Sequence, residues 1–237
     1  MKSHHQHQDL LLYTFSEFEA LITDNLLRLE SSKFVTENKK VNFLDNAIHN
    51  SGGNCPYKKF IYWTKNFIAK PNFLLGRTGA VCPYVHLSIK KELFFCTIYS
   101  GTFSPNIVEE KLLQYADWFL KLDVETTEQA SLKTLAILLD YDDTLDLDIS
   151  QFMITMHDRL KPKFLSKGLM LGEFFPGHSK SSVWNKDFYP LSSPLPVFVI
   201  RYMIDVDYNF LKSNPLHLSS YLKFFQYKIS KTEQKKI

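Results

Sequence analysis

The stretch richest in potential chemistry runs Gly168-Leu169-Met170-Leu171-Gly172-Glu173-Phe174-Phe175-Pro176-Gly177-His178. It reads as a strand with glycines that let a ligand or a neighbouring element approach the backbone closely. Glu173 is an acid among apolar neighbours, so its carboxyl needs a partner or a raised pKa. Arg201, in the apolar run Val197 to Ile204, is the natural partner if the two strands pair. Such a pair is either a catalytic or substrate-binding carboxylate with its guanidinium or a buried structural ion pair.

A second segment, Leu75-Gly76-Arg77-Thr78-Gly79-Ala80-Val81-Cys82-Pro83-Tyr84, sets an arginine between two glycines ahead of a Cys-Pro step. Turns of this kind free backbone N–H groups to cradle an anion, with Arg77 as a bidentate partner. Cys82 is a candidate nucleophile, and its plain alternative is a small buried thiol. Of 28 basic residues only four are Arg, and Arg77, Arg159 and Arg201 all lie in or beside these segments. Arg offers a planar, permanently charged fork for carboxylates and phosphates. His86, His157 and His178 stand near the same segments as alternative single metal ligands or general bases. No His-x-x-x-His zinc spacing, phosphate-binding P-loop or EF-hand pattern is present.

These residues must be positioned by a globular fold. The chain has 237 residues, 45% of them hydrophobic and 22% charged, which excludes a mainly disordered, collagenous or coiled-coil protein. Thirty-two residues are Phe or Tyr, enough for a large aromatic core or a lined pocket. A net charge of +3 does not indicate nucleic-acid binding. The absence of a long apolar run argues against a membrane span. Three cysteines, an odd number, fit a reducing cytoplasm better than a disulfide scaffold.

Helical periodicity marks residues 9–30, and a polar, glycine-containing stretch at 31–54 reads as a linker. This divides the chain into an N-terminal tail, helix and linker at 1–54 and a single α/β domain at 55–237. The domain alternates a helix at 57–69, a strand at 93–99, a helix at 106–122, a strand at 132–139 and a helix at 149–165. Strands at 169–174 and 197–204 and a last helix at 216–229 follow. The expected class is α+β, a single sheet of about four strands covered by helices. About twenty helix-free residues link the last two strands, which favours an antiparallel return.

Gly76 to Tyr84, Leu160-Lys161-Pro162-Lys163-Phe164, Gly168 to Pro176, Asn185 to Arg201 and Asp207 to Leu211 together resemble an uncharacterised domain-of-unknown-function family of bacteria and fungi. That family's pattern reads LGRxGxVCPF, LKPxFV, GLMxGEFHP, NxxFRPLRSPxPxxxIRxM and DxxFL. Asn185 and the motif arginines lie within these segments and are the substrate-binding candidates. The resemblance also marks departures: Phe175 stands where the family has His, and Tyr189 and Ser192 where it has Arg. A fainter architectural resemblance to the YqcI/YcgG-like haem proteins makes haem the candidate cofactor.

The combined expectation is an enzyme on a small polar, amino-acid-like metabolite, with a haem-dependent oxygenase as its specific form. Glu173 and Cys82 are its catalytic candidates, with Arg77, Arg159, Arg201 and Asn185 binding the substrate. The alternative is a non-catalytic ligand-binding or interaction module with a degenerate site, in which the N-terminal helix docks a protein partner.

Overall fold

Thr134-Leu135-Ala136-Ile137-Leu138-Leu139 is a short, mostly aliphatic run in which every residue is buried, as expected of a strand covered on both faces. In the computed structural model, which describes residues 12–31, 55–122, 126–141 and 146–233, this run is the centre of one mixed sheet. Its strands are β1 (Tyr13–Thr14), β2 (Phe94–Tyr99), β3 (Thr134–Leu139), β4 (Leu169–Phe174) and β5 (Val197–Tyr202). They lie side by side in the order β1-β2-β3-β5-β4. β2 and β3 are parallel, while β1 on β2 and β5 on both β3 and β4 are antiparallel. The expected antiparallel return between the last two strands is therefore present. The sheet has five strands where about four were expected, because β1 is two residues long and too short to show a period.

Among the described residues there are eight α-helices. They are α1 (Phe15–Ser31), α2 (Pro56–Trp63), α3 (Val85–Lys90), α4 (Pro105–Lys121), α5 (Thr127–Leu132), α6 (Ile149–Ser166), α7 (Tyr208–Leu211) and α8 (Pro215–Glu233). α2 runs on into a π-helical turn, Thr64–Ile68. Pro105 opens α4, where its missing N–H costs nothing, and the Asp148 carboxylate caps α6 by accepting from Gln151 N–H at 3.0 Å.

The alternation of β3 divides the core into two layers. Leu135, Ile137 and Leu139 pack with Leu112 and Phe119 of α4 and Met156, Leu160 and Phe164 of α6. Ala136 and Leu138 face the opposite layer, built from α1, α2 and the inner side of β2. Lys133, wholly buried just before β3, donates through Nζ to the carbonyls of Phe119 and Leu122 at 2.7 Å each. Its ammonium thus satisfies carbonyl groups at the C-terminal end of α4 and lies 4.6 Å above the Phe119 ring.

The N-terminal helix is not an appendage. Phe15, Phe18 and Ile22 are buried against Tyr57, Phe60 and Phe94, and Tyr13 pairs with Cys96 across β1 and β2. The physical reason is that the inner face of β2 would otherwise expose Phe94 and Cys96. The expected linker at 31–54 lies outside the described residues, apart from Ser31. Truncating Phe18, fully buried in this layer, is expected to destabilise the protein by about 3–5 kcal/mol. Urea denaturation of F18A checks this, and a midpoint equal to wild type would show α1 to be dispensable to the core.

Candidate functional site

β4 and β5 pair so that Glu173 stands opposite Phe198 and Met170 opposite Arg201. Arg201 lies three positions beyond Phe198, roughly 10 Å along the strand, and an odd step turns the side chain to the other face. The expected Glu173–Arg201 pair is therefore not formed: the two side chains lie on opposite faces of the sheet. Glu173 shares its face with Leu169 and Leu171 and looks toward α6; Arg201 shares the face of Val197 and Val199.

The partners of Glu173 are two histidines. α6 delivers His157, whose Nε2 lies 3.1 Å from Glu173 Oε2 and 3.1 Å from the carbonyl of Leu171. Both neighbours are acceptors, so the ring carries its proton on Nε2 and donates it toward them. His178, in the loop after β4, accepts the Lys180 N–H on Nδ1 at 3.1 Å. That fixes its proton on Nε2, which faces Glu173 Oε1 at 3.6 Å, beyond hydrogen-bond length. The three residues are 6–7% exposed. Burial pushes both imidazoles below their usual pKa; for His157 the Glu173 carboxyl opposes this, and for His178 the Lys180 ammonium adds to it.

Two lysines stand at the rim. Lys161 is one helical turn beyond His157 on α6, and its ammonium is pushed down by burial and by Lys180, with Glu173 and Asp158 acting in the opposite sense. The i, i+4 spacing of His157 and Lys161 was the signal from which Lys161 could have been read. Phe175 covers the cluster from behind, its ring stacked on His178 at 4.2 Å, and forms an isolated bridge with Ser192.

The other expected site residues are elsewhere. Arg201 makes a bidentate pair with the buried Asp207 carboxylate at 2.7 and 2.8 Å, and Asp207 also accepts from Ile204 N–H. Burial works against this guanidinium, but Asp207 outweighs it and holds the charge more firmly than usual. Cys82 and Tyr84 lie near Arg201, away from Glu173. Arg77 turns back on its own loop and donates to the carbonyls of Thr78 and Val81. Arg159 pairs with Glu109, as does Lys163, joining α6 to α4. Asn185 donates to the carbonyl of Leu74 at 2.7 Å and ties two loops together. His86 is exposed on α3. The structure thus unites Glu173, His157 and His178 and leaves the arginines, Asn185, Cys82 and His86 apart.

Haem fits these residues poorly. Nε2 of His157 and Nδ1 of His178 are engaged by protein groups, the other nitrogen of each ring faces a carboxylate, and His86 lies on an exposed surface. Among the described residues no group of three or more His, Cys, Asp and Glu side chains is arranged to hold a metal ion. All three cysteines are free, and no helix among the described residues is long and apolar enough to cross a membrane.

Compared with known proteins, residues 57–236 match a family model described as a domain of unknown function (DUF6875). No curated protein and no solved structure matches the chain. The expectation of a domain-of-unknown-function family holds at that level.

Because His157 and His178 have lower pKa values folded than the 6.5 of a free imidazole, the unfolded chain takes up protons first as the pH falls. Stability is expected to be complete above pH 6.5 and to decline as pH drops through 6.5 toward the folded values. Unfolding midpoints between pH 5 and 8 check this; H157N should flatten the slope, and an unchanged slope would contradict the assignment.

Proposed function

We propose that this chain, which belongs to the DUF6875 family, is an acid–base enzyme acting on a small polar, amino-acid-like metabolite at the His157–Glu173–His178 cluster. One observation carries the reading: both oxygens of a buried carboxyl face buried imidazole Nε2 atoms, at 3.1 and 3.6 Å. Constellations of buried titratable groups with displaced pKa values concentrate at functional sites. In this reading Lys161 and Lys180 hold the substrate's carboxylate, and the exposed Lys180 marks the side of entry. Glu173 takes the proton from the carbon next to that carboxylate. The C–H bond breaks, an O–H bond forms on Glu173, and the electron pair stays on the substrate, spread into its carboxylate under the two ammonium groups. His157 orients the carboxyl; His178, with its proton aimed across a gap longer than a hydrogen bond, can close on it as charge shifts.

A second reading is favoured by a specific contact. Phe175, where the resemblance implies His, stacks on His178, and its bridge partner Ser192 stands where the resemblance implies Arg. A site that has exchanged these groups would bind without turnover.

Proton NMR in D2O with a panel of the twenty common amino acids and their 2-hydroxy analogues separates the two. The enzyme reading predicts loss of the α-proton signal of at least one compound. E173Q should slow the exchange by about 100-fold or more, and K161A/K180A should raise the half-saturating concentration. Binding without exchange supports the non-catalytic reading; absence of both overturns the site.

A further inference from the structure

We propose a second ligand site: the groove between the lysine–aromatic face of α2 and the Ser192–Pro194 segment binds a small planar ring bearing an anionic group. The groove is shallow and open to solvent and offers about 500 Å³, within the range of small-molecule sites. One wall is α2, where Lys58 and Tyr62, and Lys59 and Trp63, stand at i, i+4 and so form two rungs, each an ammonium beside an aromatic ring. The other wall is Ser192, Ser193 and Pro194. No acid lines the groove. Lys58 and Lys59 are exposed and have no ion-pair partner among the described residues, so their charge is available to a ligand.

The walls are held in place before any ligand arrives. Trp63 is stacked on Phe67, with centroids 6.2 Å apart, and meets the edge of Phe174 at 5.7 Å. The Ser193 hydroxyl donates to the Leu195 carbonyl at 2.6 Å, and Ser192 Oγ accepts from Gly177 N–H at 3.3 Å. Preorganisation of this kind lowers the ordering cost of binding. One further feature points to a ligand rather than a bare surface. Tyr62 leaves 71% of its area in solvent, a flat face with nothing packed on most of it.

The position within the fold agrees. Two residues past Pro194, the carbonyl of Pro196 accepts from Leu139 N–H, at the carboxyl end of β3 beside parallel β2. Crevices at the carboxyl ends of parallel strands are where open α/β sheets take ligands. Trp63 touches Phe174, which points away from the face of Glu173, so this groove and the acid–base cluster lie on opposite sides of β4. An aromatic carboxylate and an aryl phosphate offer the same chemistry here: a ring for Tyr62 and Trp63 and an anion for Lys58 and Lys59.

The test uses 1H–15N NMR of the whole chain, whose three tryptophans each give one indole signal. The probes are 1-naphthoate and phenyl phosphate, with neutral 1-naphthalenemethanol and inorganic phosphate as controls, and W63F identifies the Trp63 signal. The expected result is a saturable shift of the Trp63 signal with one or both ring-bearing anions, and which of the two binds identifies the anion. K58E/K59E should weaken that binding at least tenfold while leaving the rest of the spectrum in place. Inorganic phosphate alone should have no effect. The proposal is overturned if neither anion moves the Trp63 signal, if the neutral alcohol binds as well as naphthoate, or if the charge reversal leaves affinity unchanged. A failure here leaves α-proton exchange at Glu173 untouched, and the converse holds.

Discussion

A strand with no solvent face needs two covers, and β3 forces that requirement on the whole molecule. All six of its residues are buried, so α4 and α6 must close one side while α1 and α2 close the other. The parallel bond to β2 obliges a crossover between them, and α4 is the body of that crossover. Lys133 then ties the end of α4 to the start of β3 by donating into two carbonyls at 2.7 Å. With β3 fixed, β5 pairs on its far edge, and β4 on β5, by direct antiparallel bonding.

The pleat of β4 and β5 then distributes the chemistry. Alternate residues of β4 belong to different layers, so Glu173 and Phe174 open onto separate surroundings: a polar cluster with α6 on one side and an aromatic groove with α2 on the other. Each buried charge in the described residues meets a dedicated partner. Arg201 has Asp207, Glu109 has Arg159 and Lys163, and Lys133 has helix-end carbonyls. Breaking such pairs costs more than forming them stabilises, which is why these ions read as structural. Glu173 differs in that its neighbours are imidazoles held by burial toward the neutral form.

The strands and most helices were legible because each carries enough apolar residues to show a period, and Pro105 announced the start of α4. β1 was not, since two residues have no period. The residue types of the site were legible too: an acid in an apolar strand and histidines beside it. Their grouping was not, because it depends on register. Placing Phe198 opposite Glu173 decides that Arg201 faces away, and a shift of one residue would have reversed the outcome. Arg201 has a partner only six positions on, Asp207, within the closing Asp-x-x-Phe-Leu segment. A local search would have found it before a cross-strand one. Arg159 and Glu109 sit on separate helices fifty residues apart, and nothing local links them.

α1 is synthesised well before the elements that cover it. Phe15, Phe18 and Ile22 find their cover in α2 and in Phe94 of β2, the latter about eighty residues downstream. At synthesis rates of roughly 5–20 residues per second, that separation is on the order of 4–16 s during which three large apolar side chains lack their final surroundings. The match to the family model begins at residue 57, beyond this helix. A chain cut to that boundary would be born without the wait, but with Tyr57, Phe60 and Phe94 left uncovered in the finished fold.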